Sequence, residues 1–146
     1  VRATATTNLE VRPFRVTDQP TVICLWLKCG LVVPWNDPTT DIARKLGVQP
    51  QFFLVGDLDG EVIATAMAGY EGHRGWVNYL AVEPHYQRRG IGRRMMAEVE
   101  RLLLAEGCPK INLQVRATNR QAISFYERIG FNVEPVIGLG KRLISP

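Results

Sequence analysis

The chain lacks any apolar run long enough to cross a bilayer, although 46% of its 146 residues are hydrophobic. It has only three cysteines, Cys24, Cys29 and Cys108, an odd number at spacings that fit no metal-ligand pattern. That excludes a disulfide scaffold and a zinc motif. The thiols are expected to be reduced, in a cytoplasmic protein with no bound metal. Residues 1–8 lack the apolar stretch of a secretory signal and are expected to form a flexible leader ahead of a single domain over 9–146. No Gly-Lys-Ser or Gly-Lys-Thr tripeptide occurs, so a P-loop is excluded. Repeats, linkers and low-complexity segments are also absent.

The formal net charge is +4. A basic chain can favour nucleic acid. Here the cluster Arg88, Arg89, Arg93 and Arg94 carries as many positive charges as the whole excess. No second basic stripe with interleaved aromatics is present, as single-strand binding would need. We therefore expect no nucleic-acid partner and no membrane partner.

That cluster belongs to the most informative stretch, Gln87-Arg88-Arg89-Gly90-Ile91-Gly92. It follows an apolar segment, 76–82, that reads as a strand. It opens a segment from Ile91 to Glu106 whose apolar residues recur at helical spacing. A strand, a glycine turn and a helix together hold phosphate well. Glycine lets the backbone approach the anion, and the first N–H groups of the helix have no internal partner. A dinucleotide fingerprint would need a third glycine where Met95 stands.

The rest of the pattern alternates strands and helices. A strand is expected from Leu9 to Val16, then a helix capped by Thr17 and running to Cys29. A second, short helix should start at Asp37-Pro38 and end near Gly47. Strands at 52–57 and 62–70 flank Asp59-Gly60, a hairpin signal. Glu71 to Gly75 should turn into the strand at 76. After the long helix come a strand near 111–115, a helix capped by Asn119, and two short strands between Asn132 and Leu143. This alternation points to α/β packing.

The Gln/Arg-x-x-Gly-x-Gly turn resembles the acetyl-CoA pyrophosphate loop of the GCN5-related N-acetyltransferases (GNAT). The later run Asn119 to Phe131, with Ala122, Tyr126 and Gly130-Phe131 in step, is similar to the family's other signature. The segments 34–38, 69–75 and 139–143 resemble the YpeA-type branch. The resemblance implies a mixed, mostly antiparallel central sheet, splayed between strands at 76–82 and 110–116 and flanked by helices. It also implies a single N-acetyltransferase domain, a monomer or homodimer, moving the acetyl group of acetyl-CoA to a primary amine. That amine belongs to a protein lysine, a protein N-terminus or a small molecule, and it attacks directly. A catalytically silent CoA-binding module and an enzyme using another acyl-CoA remain as alternatives.

Residue by residue, the resemblance assigns the pyrophosphate to Gln87, Arg88, Arg89, Gly90, Ile91, Gly92 and Arg93. The pantetheine arm falls to the backbone of Leu80, Ala81 and Val82, with Asn119 and Tyr126 also at the coenzyme. Tyr126 is the expected proton donor to the leaving thiolate. Where ribosomal-protein N-terminal acetyltransferases carry a glutamate, this chain has Gln114, which cannot take a proton. Glu71, His73 and Glu83 then remain as candidate bases, Glu71 first among them, with Glu71, His73 and Trp35 expected at the amine site; a base acting through ordered water is the alternative.

Overall fold

In the computed structural model, residues 8–145 are described. The expected leader therefore lies outside the described residues, apart from Asn8. One sheet of five strands orders the chain: β1 (Leu9–Pro13), β2 (Phe53–Leu58), β3 (Glu61–Tyr70), β4 (Gly75–Val82) and β5 (Ile111–Asn112), adjacent in that sequence. The first four are antiparallel, and β5 joins β4 in parallel. Asp59 and Gly60 both adopt positive φ (52° and 91°) in the turn between β2 and β3. That is the left-handed geometry the Asp-Gly pair predicts.

Helices cover both faces. On one, α1 (Gln19–Lys28) and α2 (Pro38–Leu46) bury Val22, Leu25, Trp26 and Ile42 against Phe53, Val55 and Met67. On the other, α3 (Ile91–Ala105) buries Ile91, Met95, Met96, Val99 and Leu103 against Leu54, Ile63, Ala64 and Val77. The last helix, α4 (Arg120–Arg128), packs Phe125 and Tyr126 on the same face, but none of its residues is fully buried. Asp37 caps α2 through Thr39 N–H, and Pro38 opens it, as the sequence predicts.

Thr17 does not cap α1. It sits inside a 3-10 turn (Val16–Asp18) that leads into Gln19. Asp18 has a different task. Its carboxylate accepts two bonds from the buried guanidinium of Arg12 (2.8 and 3.0 Å) and one from Arg15 N–H. Arg12 holds the Asp18 carboxyl below its ordinary range. A carboxyl with a lowered folded pKa contributes stability above its unfolded pKa and loses it as pH falls through the folded one. Stability should therefore decline on acidification below about pH 4. Asp18→Ala should cost about 3 kcal/mol in urea melts at pH 7 and flatten this decline; it breaks a buried pair, though Asp57 still holds Arg12 (3.2 Å).

Two expectations about the C-terminal half need correction. The strand expected over 110–116 is only two residues long, and 113–116 form no ladder. Residues 132–143 form no strands either. They form no regular element, turn at Glu134–Val136 and expose Val133, Val136, Ile137, Leu139 and Leu143. Their apolar pattern predicts strands, but a strand needs an edge to pair with, and β5 offers almost none.

Candidate acetyl-transfer site

The site is organised by the way β4 and β5 part. Gly75 pairs with Ile111 and Trp76 with Asn112, and there the parallel ladder ends. From residue 77 to 82, β4 keeps its partner β3 on one edge and has no strand on the other. The splay expected from the sequence is therefore present. In the paired stretch Gly75 has no room for a side chain: a Cβ there would meet Leu103 Cδ1 at 2.8 Å and Cys108 Sγ at 3.0 Å.

Within the open stretch, β4 carries a bulge. The register against β3 shifts between Thr65 and Met67, and Tyr79 adopts φ +53°, a conformation a tyrosine rarely takes. A bulge bends its strand, which carries β4 away from β5. Three groups hold it. Trp26 Nε1–H donates to Thr65 Oγ1 (2.9 Å), Thr65 Oγ1–H donates to the Tyr79 carbonyl (2.7 Å), and the Tyr79 hydroxyl donates to Asp41 (2.6 Å). The Tyr79 ring stacks on Trp26 at 3.8 Å. Among the described residues no peptide is cis, so a Tyr79 carbonyl turned toward Thr65 turns the Leu80 N–H the opposite way. Thr65→Val keeps the shape but strands the Trp26 donor and the Tyr79 acceptor in the core. We expect a loss of about 2 kcal/mol, a Tm lower by about 4–8 °C, and recovery in Thr65→Ser.

At the end of β4 the chain enters the glycine turn. Arg88 (φ +65°) and Gly90 (φ +81°) are both left-handed there, and Gly90 is the N-cap of α3. The first internal bond of α3 runs from Arg94 N–H to the Gly90 carbonyl, which leaves the N–H groups of 90–93 without helical partners. Arg88, Arg89 and Arg93 are exposed around them. Arg89 lies over the Tyr86 ring (5.5 Å). Arg94 turns away and bonds the Leu9 carbonyl. The Gln87 amide is committed to the Val82 carbonyl (2.9 Å), so it braces the turn. Open space surrounds Gly90, where a Cβ would find nothing within 4 Å.

Gly92 has a second use. A Cβ there would come within 3.2 Å of the Phe125 ring. The missing side chain lets α4 rest on the first turn of α3. This brings the helix bearing Tyr126 against the same turn. Asn119 Oδ1 caps α4 through Ala122 N–H (3.1 Å). Tyr126 is half-buried between the rings of Phe125 and Phe131. Burial pushes its phenol up to about 12.

The expected amine site does not assemble as the sequence suggests. The Glu71 carboxylate accepts from the backbone N–H groups of His73 and Arg74, closing its own exposed turn, and those bonds lower its pKa. Neither Glu71 nor His73 lines the groove that holds Trp35. That groove, about 810 Å³, runs between residues 35–44 and the segment 140–145. Trp35 lines it, with the Arg116 guanidinium 5.5 Å from its ring centroid. Asp41 ties the groove floor to β4 at the bulge. The sequence does not reveal the Trp26–Thr65–Tyr79–Asp41 chain, because each member reads as an ordinary core or helix residue. Its only visible trace is a threonine between alanines inside an apolar strand.

A strand edge left open beside a helix N-terminus with three exposed arginines fits a protein that holds a phosphorylated, extended ligand and presents its far end to a cleft. Comparison with known proteins narrows this class. The family model described as "Acetyltransferase (GNAT) family" matches residues 20–131. The chain belongs to the GNAT family and is an acetyl-CoA-dependent acetyltransferase. It is 49% identical over 138 residues to an acetyltransferase of Sodalis glossinidius, covering 94% of this chain and 97% of that one. Its fold is similar to the ribosomal-protein-S18-alanine N-acetyltransferase of Escherichia coli (TM-score 0.72, 27% identity, 85% of this chain and 77% of that one). It is also similar to the aminoglycoside acetyltransferase AAC(6')-Iy in complex with a CoA bisubstrate analogue (TM-score 0.74, 20% identity, 92% and 98%).

Proposed function

We propose that residues 9–146 act as one N-acetyltransferase domain in the cytoplasm, moving the acetyl group directly to a primary amine. The observation that carries this reading is the unpaired edge of β4 between the arginine-glycine turn and Tyr126. Leu80, Ala81 and Val82 offer their backbone along that edge to the pantetheine arm, as an added strand would be held. Arg88, Arg89 and Arg93, with the N–H groups around Gly90, Ile91 and Gly92, take the pyrophosphate. Asn119 orders the start of α4 beside it. The bound thioester supplies an acyl carbon open to attack and a thiolate leaving group.

Polarising the acyl oxygen is assigned to the Leu80 N–H, which the Thr65 hydroxyl orients. Tyr126 serves the sulfur. A phenol near 12 stays protonated throughout the working pH range, so its O–H is always available. A thiol titrates near 8.5, so finished proton transfer from this phenol is uphill. A hydrogen bond that strengthens as charge grows on sulfur is the service expected.

The acceptor enters along the Trp35 groove. A lysine amine, with a pKa of about 10.4, is almost wholly protonated at pH 7, whereas an α-amine at about 7.7–8.0 loses its proton to solvent with little help. We assign Glu71 to holding its turn and leave deprotonation to water in the open groove. Free-thiol release from acetyl-CoA, screened against amine and peptide libraries, tests the whole reading. Amine-dependent turnover is expected. Tight acetyl-CoA binding with no turnover on any amine would make the protein a CoA-binding module. In the same assay, the ratio of wild-type to Glu71→Gln activity should stay flat from about pH 6 to 10. A ratio that grows toward low pH would return the base to Glu71.

A further inference from the structure

The Trp35 groove has a charge pattern that the transfer reaction does not require. Two of its charged residues are acidic, Asp37 and Asp41, and both are already engaged. Asp37 accepts from Thr39 N–H (3.2 Å) and the Thr40 hydroxyl (2.8 Å). Asp41 accepts from the Tyr79 hydroxyl (2.6 Å) and from Arg44 (3.3 Å). Asp41 is paired with Arg44, whereas Asp37 keeps its charge without a cationic partner among the described residues. The opposite wall carries Lys141 and Arg142, which form no ion pair among the described residues. Arg116, laid over Trp35, adds a further cation beside the groove, whose own lining holds Arg44, Lys141 and Arg142.

Resting on the reading above, we propose that the acceptor is an α-amine whose molecule also carries carboxylate groups, and that Lys141 and Arg142 select it. A carboxylate entering the groove meets two cations that form no ion pair among the described residues. A polyamine or aminoglycoside meets the same cations as repulsion, with Asp37 alone to offset them. The volume, about 810 Å³, admits either a free acidic amino acid or the first residues of a peptide with acidic side chains. Both sources present the same chemistry, an α-amine with anionic groups close by.

The test compares kcat/KM by thiol release for free aspartate and glutamate, tetrapeptides with acidic, neutral and basic residues after the N-terminus, and spermidine. Acidic acceptors should exceed their neutral counterparts by at least about tenfold, with a preference that shrinks as salt rises. The peptide and free-amino-acid arms distinguish the two sources. Lys141→Glu/Arg142→Glu should raise KM for the acidic acceptor by at least about tenfold, and Lys141→Gln/Arg142→Gln by an intermediate factor. Preference for spermidine or the basic peptide, or a double reversal that leaves this KM within about twofold, overturns the proposal. Binding of the same peptides to the CoA-saturated protein is measured in parallel by calorimetry. Acid-selective binding without turnover would support the charge selection while counting against acetyl transfer. Equal affinity for acidic and basic peptides would overturn the selection whether or not turnover occurs.

Discussion

Tyr126→Phe is expected to lower kcat by about 10²-fold while leaving acetyl-CoA affinity within about twofold. The ring contacts with Phe125 and Phe131 survive the change, so packing alone predicts almost no effect. What is lost is one O–H, kept protonated by the burial that raises its pKa to about 12. Its service is needed only as the carbon–sulfur bond breaks, so kcat should fall with little change in KM. Steady-state kinetics beside a calorimetric Kd for acetyl-CoA separate the two readings. A kcat within about twofold of wild type in a folded variant would leave Tyr126 as a packing residue only.

Gly90→Val should be at least as damaging, by a different route. Valine at φ +81° is strained by about 1–3 kcal/mol, and its branched side chain would occupy the open space over the N–H groups of α3. Acetyl-CoA affinity should fall by more than about tenfold, and the unliganded protein should melt several degrees lower. Arg89→Glu gives the contrast. It removes charge without backbone strain, so it should weaken binding in a salt-dependent way and leave the melting temperature of the free protein nearly unchanged. Equal acetyl-CoA affinity in both variants and wild type would remove the turn from the coenzyme site.

Much of this arrangement is legible in the chain because it depends on local chemistry. Asp59-Gly60 dictates its hairpin, Asp37-Pro38 starts its helix, and Asn119 caps the next one. Gly90, left-handed at the helix N-cap, marks its turn for the same reason. Other features depend on contacts between distant segments, and the sequence misleads there. The apolar pattern of 132–143 is that of strands, yet the edge they would need is cut short by the divergence of β4 and β5. Glu71 and His73 look available in a loop, yet the carboxylate closes on its own backbone. The Trp26–Thr65–Tyr79–Asp41 chain joins four elements, and nothing within seven residues of any member announces the others.

The contact between Gly92 and Phe125 has a consequence for motion. The helix that carries the reacting hydroxyl is the least anchored of the four, with no residue fully buried, and it leans on a turn shaped for an anion. Filling that turn should stiffen what rests on it, so ordering of α4 becomes linked to occupancy of the phosphate site. An empty enzyme would then spend part of its time with Tyr126 out of register, and the coenzyme would bring its own hydrogen-bond donor into place by binding. Amide hydrogen exchange in 120–128 should slow on adding CoA alone, well before any amine arrives.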